Sequence, residues 1–319
     1  MKAKEQRLLF FGFSLLTMQL SILIPTYNYV CTKLAKDLAS QCYRCTTLDD
    51  YEIVVADDGS TDSTSIAQNR SINDIPHCRY AESAENIGRS RILHKMVLQM
   101  QFPWVIIIDS DAEVNSENFI KTYLENTSGQ DVVCGGIVTS EKYKRQDNTL
   151  RYKYESKACT IRALQYRKKH PYRFFSSFNI LIRAQVFEKV NFDDALTQYG
   201  YEDTLFGIQL EKNNFNILHI NNPLVHTGID TNEKYLLKTE QALQNLVTLK
   251  NQLQTGSLLY QYYLRLQKLH LIPFLLLWHK VFATLERKII LSQHPNLFLF
   301  NLYKLGYFAK KTKEATLAM

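Results

Sequence analysis

The stretch Val105-Ile106-Ile107-Ile108-Asp109-Ser110-Asp111 constrains this chain more than any other. Four aliphatic residues in a row read as a strand buried on both faces, which demands packed layers above and below it. The strand then delivers two carboxylates at its C-terminal end. In an open α/β sheet that edge is where ligands bind. Alternation along extended chain sends Asp109 and Asp111 to the same side. Like charges that close repel unless a cation lies between them. Hard oxygen ligands at short spacing suit Mg²⁺ or Mn²⁺, shared with a substrate phosphate. Asp-Ser-Asp is also good turn chemistry, so this motif alone does not separate a metal site from an Asx-type turn.

The segments before it repeat one pattern, a buried strand followed by a polar cluster. Residues 20–25 form an apolar run stopped by Pro25, and Thr26-Tyr27-Asn28 follow. Residues 32–40 have helical spacing. Residues 51–56 predict a second buried strand that ends at Asp57-Asp58-Gly59-Ser60, after which Thr61-Asp62-Ser63 can cap a helix to about residue 70. A short strand over 79–81 precedes Asn86-Ile87-Gly88, which turn into a helix over 89–100. Strand and helix alternate at spacings that predict a doubly wound, mostly parallel α/β sheet. Thr26, Asp58, Asp109 and Asp111 then share one rim.

Further on, a strand is expected over 131–138 and a Lys/Arg/Tyr-rich stretch with a helical middle over 141–173. Extended chain is expected over 176–183, a short helix over 186–190, and a helix over 199–212 opened by Gly200-Tyr201-Glu202-Asp203. Strands over 217–220 and 224–226 close the pattern, and only helical spacing follows from residue 233. The division expected is an N-terminal extension over 1–17, an α/β domain over 18–230 and a helical extension over 231–319.

Charge is unevenly placed. The net +7 arises entirely after residue 250, where nine Lys/Arg face only Glu286 and Glu314. Such a segment suits an anionic surface, either membrane or nucleic acid. The six cysteines are scattered, and Cys42-x-x-Cys45 lacks the second pair or His cluster of a zinc site, so free thiols in a reducing cytosol are expected. Residues 8–16 mimic the apolar core of a signal peptide without a small-residue cleavage site, and Met18 is a candidate start. No apolar run reaches the length of about 18 residues expected of a spanning helix.

Five motifs together carry a resemblance: Pro25-Thr26-Tyr27-Asn28, Val55-Ala56-Asp57-Asp58-Gly59-Ser60, Glu85-Asn86-Ile87-Gly88, Ile108-Asp109-Ser110-Asp111 and Gly200-Tyr201-Glu202-Asp203. In this order and spacing they resemble the inverting glycosyltransferases of family 2, which have the GT-A fold. The resemblance covers residues 18–230. The Gly-Tyr-Glu-Asp motif is similar to that of galactosyl- and N-acetylhexosaminyl-transferases, including chondroitin-type polymerases. The whole chain resembles bacterial enzymes that build surface polysaccharide.

That resemblance implies a nucleotide-diphosphate sugar donor, a UDP-sugar, lined by Pro25, Thr26, Tyr27, Asp57, Asp58, Asn86, Gly88, Arg89, Asp109 and Ser110. Thr26 and Asp58 would bind uracil, since a carboxylate accepts from its N3–H. It implies a divalent metal, Mn²⁺ or Mg²⁺, on Asp109, Asp111 and His226, with imidazole favouring Mn²⁺. Such an ion neutralises a diphosphate leaving group. Asp203 is implied as the base that takes the acceptor proton, with Glu202 on substrate hydroxyls. The acceptor would be a glycan or a lipid-linked saccharide, and no nucleic acid is expected. The basic tail would contact anionic lipid on the inner face of the cytoplasmic membrane. One departure stands out: after Gly88 the family shows a small residue, Arg and Asn, where this chain has Ile92-Leu93-His94, with Arg89 and Arg91 one turn earlier. Two rivals use the same residues differently. A phosphatase of the haloacid dehalogenase type also ends a strand in Asp-x-Asp, and a silent binding protein can keep the fold without the chemistry.

Overall fold

The computed structural model describes residues 18–192 and 200–317. The expected extension over 1–17, and residue 199 at the start of the expected helix over 199–212, lie outside the described residues.

The first half alternates strand and helix. β1 (Met18–Thr26), β2 (Leu48–Asp57), β3 (Cys78–Glu82) and β4 (Trp104–Ile108) are separated by α1 (Thr32–Arg44), α2 (Ser63–Asn69) and α3 (Arg89–Gln99). The order β3-β2-β1-β4 is parallel throughout. All five residues of β4 are buried, as an aliphatic run of this kind requires. Alternation divides it between two apolar layers. Ile106 and Ile108 join Ile22, Ile24, Ile53 and Val55 under Leu34 and Leu38 of α1. Val105 and Ile107 join Leu23 and Val54 under Ile92, Leu93 and Met96 of α3. Each such side chain contributes about 1.5–3 kcal/mol over its exposed state. The strand ends that carry the polar clusters are thereby held to one level.

After β4 the chain forms β5 (Ala112–Glu113), α4 (Phe119–Leu124), β6 (Val132–Cys134), β7 (Ile137–Val138), α5 (Thr149–Ile161), α6 (Leu164–Lys169), β8 (Asn179–Arg183), α7 (Glu202–Lys212), β9 (Ile217–His219) and β10 (Leu224–His226). β8 is antiparallel to both β4 and β6, and completes a seven-stranded sheet in the order β3-β2-β1-β4-β8-β6-β9. The single strand expected over 131–138 is two strands in two sheets. Gly136, at φ 105°, turns the chain between them. A Cβ on Gly135 would lie 2.4 Å from the Asn222 carbonyl and 2.5 Å from the Tyr123 hydroxyl. Residues 176–178, expected to be extended, precede β8 rather than belong to it.

The second sheet, β5-β10-β7, is small and decisive. β5 follows Asp111 directly, and its antiparallel pairing with β10 sets His226 opposite Ala112. Four further helices follow: α8 (Asn232–Leu249), α9 (Leu258–Lys268), α10 (Ile272–Ile290) and α11 (Leu297–Leu317). Leu243 and Leu246 of α8 share a cluster with Leu205 of α7 and Phe308 of α11. All six cysteines are free thiols.

Candidate active site

The β5–β10 pairing brings together two residues far apart in sequence. His226 Nε2 lies 3.0 Å from Asp111 Oδ2, and His226 Nδ1 lies 2.8 Å from Glu155 Oε2. Glu155 is in turn paired with Arg151, one helical turn earlier on α5. Burial disfavours the imidazolium, but hydrogen bonds to Asp111 and Glu155 prevail and push the His226 pKa up to about 10. Burial would raise the Glu155 carboxyl, yet His226 and Arg151 outweigh it and hold it below its ordinary range. Asp111 is fixed through its backbone, whose carbonyl accepts from Thr227 N at 2.8 Å and Thr227 Oγ1 at 2.7 Å. The Tyr29 hydroxyl steadies Thr227 at 2.6 Å. Gly228 leaves the space that the Asp111 carboxylate fills.

These residues fit a divalent ion that completes its shell from substrate. Without an ion, His226 is held protonated between Asp111 and Glu155; an ion at this place would displace the Nε2 proton, and Glu155 on Nδ1–H would set the tautomer in which a histidine ligates. Among the described residues no three His, Cys, Asp or Glu side chains converge as a complete cage. An ion carried with a nucleotide takes its remaining ligands from phosphate and water. Asp109, expected as a third ligand, lies against Arg89: its Oδ1 accepts from Nε at 3.0 Å and Nη2 at 2.5 Å. Burial raises the Asp109 pKa, Arg89 opposes this, and Asp111 and Asp203 add to the rise.

Arg89 connects this corner to the other carboxylates. Its Nη2 also reaches the Ser177 carbonyl at 3.5 Å. Ser177 Oγ donates to Asp203 Oδ1, and Ser176 Oγ donates to Asp203 Oδ2 at 2.9 Å. Asp203 and Glu202 stand in the first turn of α7. Glu202 folds back, accepting from Gly200 N at 2.7 Å, and its pKa is raised by burial and by Asp203. Gly200 has φ 113° and Tyr201 φ 71°, so the turn into α7 uses the left-handed region twice.

The nucleotide-side residues lie along the rim of β1, β2 and α3. The Asp58 carboxylate accepts from Ile87 N and Gly88 N, both at 2.9 Å, which clamps the Asn86-Ile87-Gly88 turn over it. Burial raises its pKa against those two bonds. The cap of α2 is Asp62, whose side chain accepts from Thr64 N and Ser65 N. Asp57 is committed internally, to the Tyr80 hydroxyl and to Ser60 N. Asn28 Oδ1 accepts from Thr61 N and Asp62 N, lacing the first two loops together. Pro25 and Thr26 are buried, and Thr26 Oγ1 donates to the Tyr29 carbonyl at 3.2 Å. Tyr27 and Asn86 are exposed, while Ser110 and Gly88 are half-buried.

Sequence reasoning missed Glu155, Ser176 and Ser177. Glu155 had one local signal, as the lone acid in a helix of Lys, Arg and Tyr. The two serines had none beyond their place ahead of an apolar strand.

The comparisons place the chain in a family and a fold. The model of glycosyl transferase family 2 matches residues 21–190, and the chain belongs to that family and is a glycosyltransferase. The phosphatase alternative falls with this. Chondroitin synthase of Escherichia coli is 26% identical over 225 residues, covering 60% of this chain and 32% of that protein. The chain therefore spans about a third of that relative's length. Among solved structures, the mannosyltransferase PcManGT from Pyrobaculum calidifontis, in complex with GDP-Man and Mn²⁺, aligns with a TM-score of 0.57 at 14% identity. The alignment covers 93% of this chain and 87% of that one, and shows that the two share the GT-A fold. TarS 1-349 of S. aureus, in complex with UDP-GlcNAc, aligns at 0.49 and 16% identity over 95% and 93% of the two chains.

Proposed function

We propose that the chain moves a hexose or N-acetylhexosamine from a UDP-sugar to a hydroxyl of a glycan or lipid-linked saccharide, with inversion and with help from a divalent metal. One observation carries this reading. Asp109, Arg89, Ser177 and Asp203 form an unbroken line of contacts, with a strand-end carboxylate beside Asp111 at one end and a helix-borne carboxylate at the other. Direct displacement needs a leaving-group side and a base side about one sugar carbon, and this line of contacts fixes a carboxylate for each in one connected group.

On the donor side, Asp58 retains lone pairs beyond its two backbone contacts and can accept from uracil N3–H. Asp111 and His226 would hold the ion, which would supply positive charge to the diphosphate as the bond to the sugar breaks. Arg89 adds a fixed cation: burial disfavours its charge, but Asp109 and Asp203 outweigh this and raise its pKa. On the acceptor side, two serine hydroxyls orient Asp203, which takes the proton from the attacking hydroxyl. Glu202, turned back onto Gly200, shapes the pocket rather than competing for that proton. The complex of PcManGT with GDP-Man and Mn²⁺ supports a nucleotide sugar and a metal, though not the choice of base.

Product NMR tests the reading. A UDP-sugar with an α linkage must give a β-linked product, because one base and a single displacement leave no covalent intermediate. A retained α linkage overturns the inverting mechanism, and full transfer by metal-stripped protein overturns the metal. Absence of transfer from every UDP-sugar, with binding intact, would favour a silent binding protein.

A further inference from the structure

Helix α10 has one face buried against the protein and another that no described residue covers. Leu275, His279, Glu286 and Ile290 turn inward. Phe274, Leu277, Trp278, Val281, Phe282 and Leu285 are exposed. Their spacing of three and four residues draws one continuous apolar stripe along the helix. Phe274, Leu277 and Val281 are 69%, 60% and 59% exposed, so this is open surface and not the rim of a core. A contiguous patch of this kind on a folded chain marks a binding surface.

The charges around the stripe select its partner. Lys280 and Lys288 are exposed on the same helix. Glu286 is the helix's only acid, and it is buried with Trp278 Nε1 donating to it at 2.8 Å. Arg265 and Lys268 add exposed cations at the end of α9. The open side of α10 therefore offers aromatic and aliphatic residues edged by positive charge, with no negative charge among them. A second copy of the chain packed face to face would bring the same cations to both sides of the contact, with no acid on α10 exposed to pair them. No single helix among the described residues is long and apolar enough to cross a bilayer, and α9 and α10 meet at 116°.

We propose that α10 lies flat on an anionic lipid surface, with its stripe in the headgroup–acyl boundary and Lys280 and Lys288 on lipid phosphates. This deepens the lipid-linked acceptor reading by naming the element that would bring the enzyme to such an acceptor. It does not depend on the transfer chemistry.

The test uses the full chain with vesicles of phosphatidylcholine alone or mixed with phosphatidylglycerol. Flotation should recover the protein with the mixed vesicles and leave it behind with the neutral ones. Trp278 emission should shift to the blue on binding, while Trp104, the other tryptophan, is buried in the sheet and stays silent. Leu277→Glu with Val281→Glu should weaken vesicle binding about tenfold or more. Lys280→Gln with Lys288→Gln, which keeps the stripe, should weaken it about fivefold per cation. Neither pair should change UDP binding or transfer to a soluble acceptor, so failure here is distinguishable from failure of the transferase reading. Three results would overturn the proposal: no recovery with mixed vesicles, wild-type binding by both variant pairs, or a lipid-free dimer that Leu277→Glu with Val281→Glu dissociates. The last would give the face to a second copy.

Discussion

Gly228→Ala adds a single methyl group, and the structure says where it goes. The new Cβ would lie 2.3 Å from Asp111 Oδ2, 2.6 Å from Asp111 Cβ and 2.8 Å from Asp111 Cγ. Comfortable carbon contacts begin near ~3.5 Å, so something must move by about an ångström. The Asp111 backbone cannot easily yield. Its carbonyl is held by both Thr227 N and Thr227 Oγ1, and the next residue pairs with His226 across the small sheet. Swinging the carboxylate relieves Oδ2 and Cγ only; the contact to Asp111 Cβ also pushes back the backbone at residue 228, and the carboxylate leaves His226 in the process. Overpacking of this kind costs about 1–3 kcal/mol of stability. The loss at the ion should be larger than the loss of fold: displaced support around a ligand lowers metal affinity about 10–100-fold. Calorimetric titration of UDP with and without Mn²⁺ should show that the metal-dependent part of binding falls by that factor. UDP binding without metal should be nearly unchanged, and thermal unfolding should report the modest fold cost. If Gly228→Ala binds UDP with Mn²⁺ as the wild type does, Asp111 is not the residue through which metal acts.

Asp203→Asn should lower turnover by ~10²–10⁴-fold with donor affinity nearly unchanged, because a base acts in the transition state; normal turnover in this variant with loss in Glu202→Gln would move the base by one residue. Glu155→Gln should weaken Mn²⁺-dependent UDP binding ~10-fold or more while Arg151 and the helix stay in place, and an unchanged titration would leave Glu155 with a packing role only. His219 is buried, which lowers its pKa to about 4; its contact to the Pro171 carbonyl opposes this and Arg167 reinforces it. An unfolded histidine titrates near ~6.5, so the unfolded chain takes up its proton first as pH falls. Stability should therefore decline between pH of about 6.5 and about 4, by at most ~3 kcal/mol, and urea melts of His219→Asn should lose that slope.

Much of the rim was legible because it is local. Strand, polar cluster and helix recur before residue 111, and each buried run is short, aliphatic and bounded by Gly, Pro or Asp. Asp62, placed just before a helical run, was readable as a cap, and the structure makes it one. Asp58 was legible only as a rim carboxylate; the structure has it accept from the Ile87 and Gly88 amides, bonds across 29 and 30 residues that no window reveals. Asp57 looked equivalent to Asp58 in sequence, and the structure turns it instead to Tyr80 on the neighbouring strand and to Ser60 N. Gly135-Gly136 lie inside an apolar run, so periodicity joined two strands that belong to different sheets. Glu155 reaches His226 over 71 residues because α5 packs beside β7, and the serines reach Asp203 because β8 runs antiparallel. Those contacts are products of topology, and sequence pattern alone does not encode which strand end meets which helix.

The turn at Gly200 has a consequence for where the enzyme can be cut. A Cβ there would lie 2.4 Å from Ala242 Cβ, so α8 rests directly on the backbone that launches the helix of Asp203. Tyr201, Leu205 and Ile208 pack into the same cluster as Leu243 and Leu246. On the proposed assignment the helical extension is a buttress for the acceptor side, while Asp58 and Asp109 directly follow β2 and β4, which pack on α1 and α3. If the proposed assignment holds, a fragment ending at residue 230 would keep the nucleotide floor and lose the wall behind Asp203. Truncation should then uncouple two properties that the intact chain delivers together, leaving a protein that still grips UDP and no longer transfers. Exchange of such extensions between relatives is, on the same reasoning, a way to retune what is glycosylated without altering which nucleotide is read.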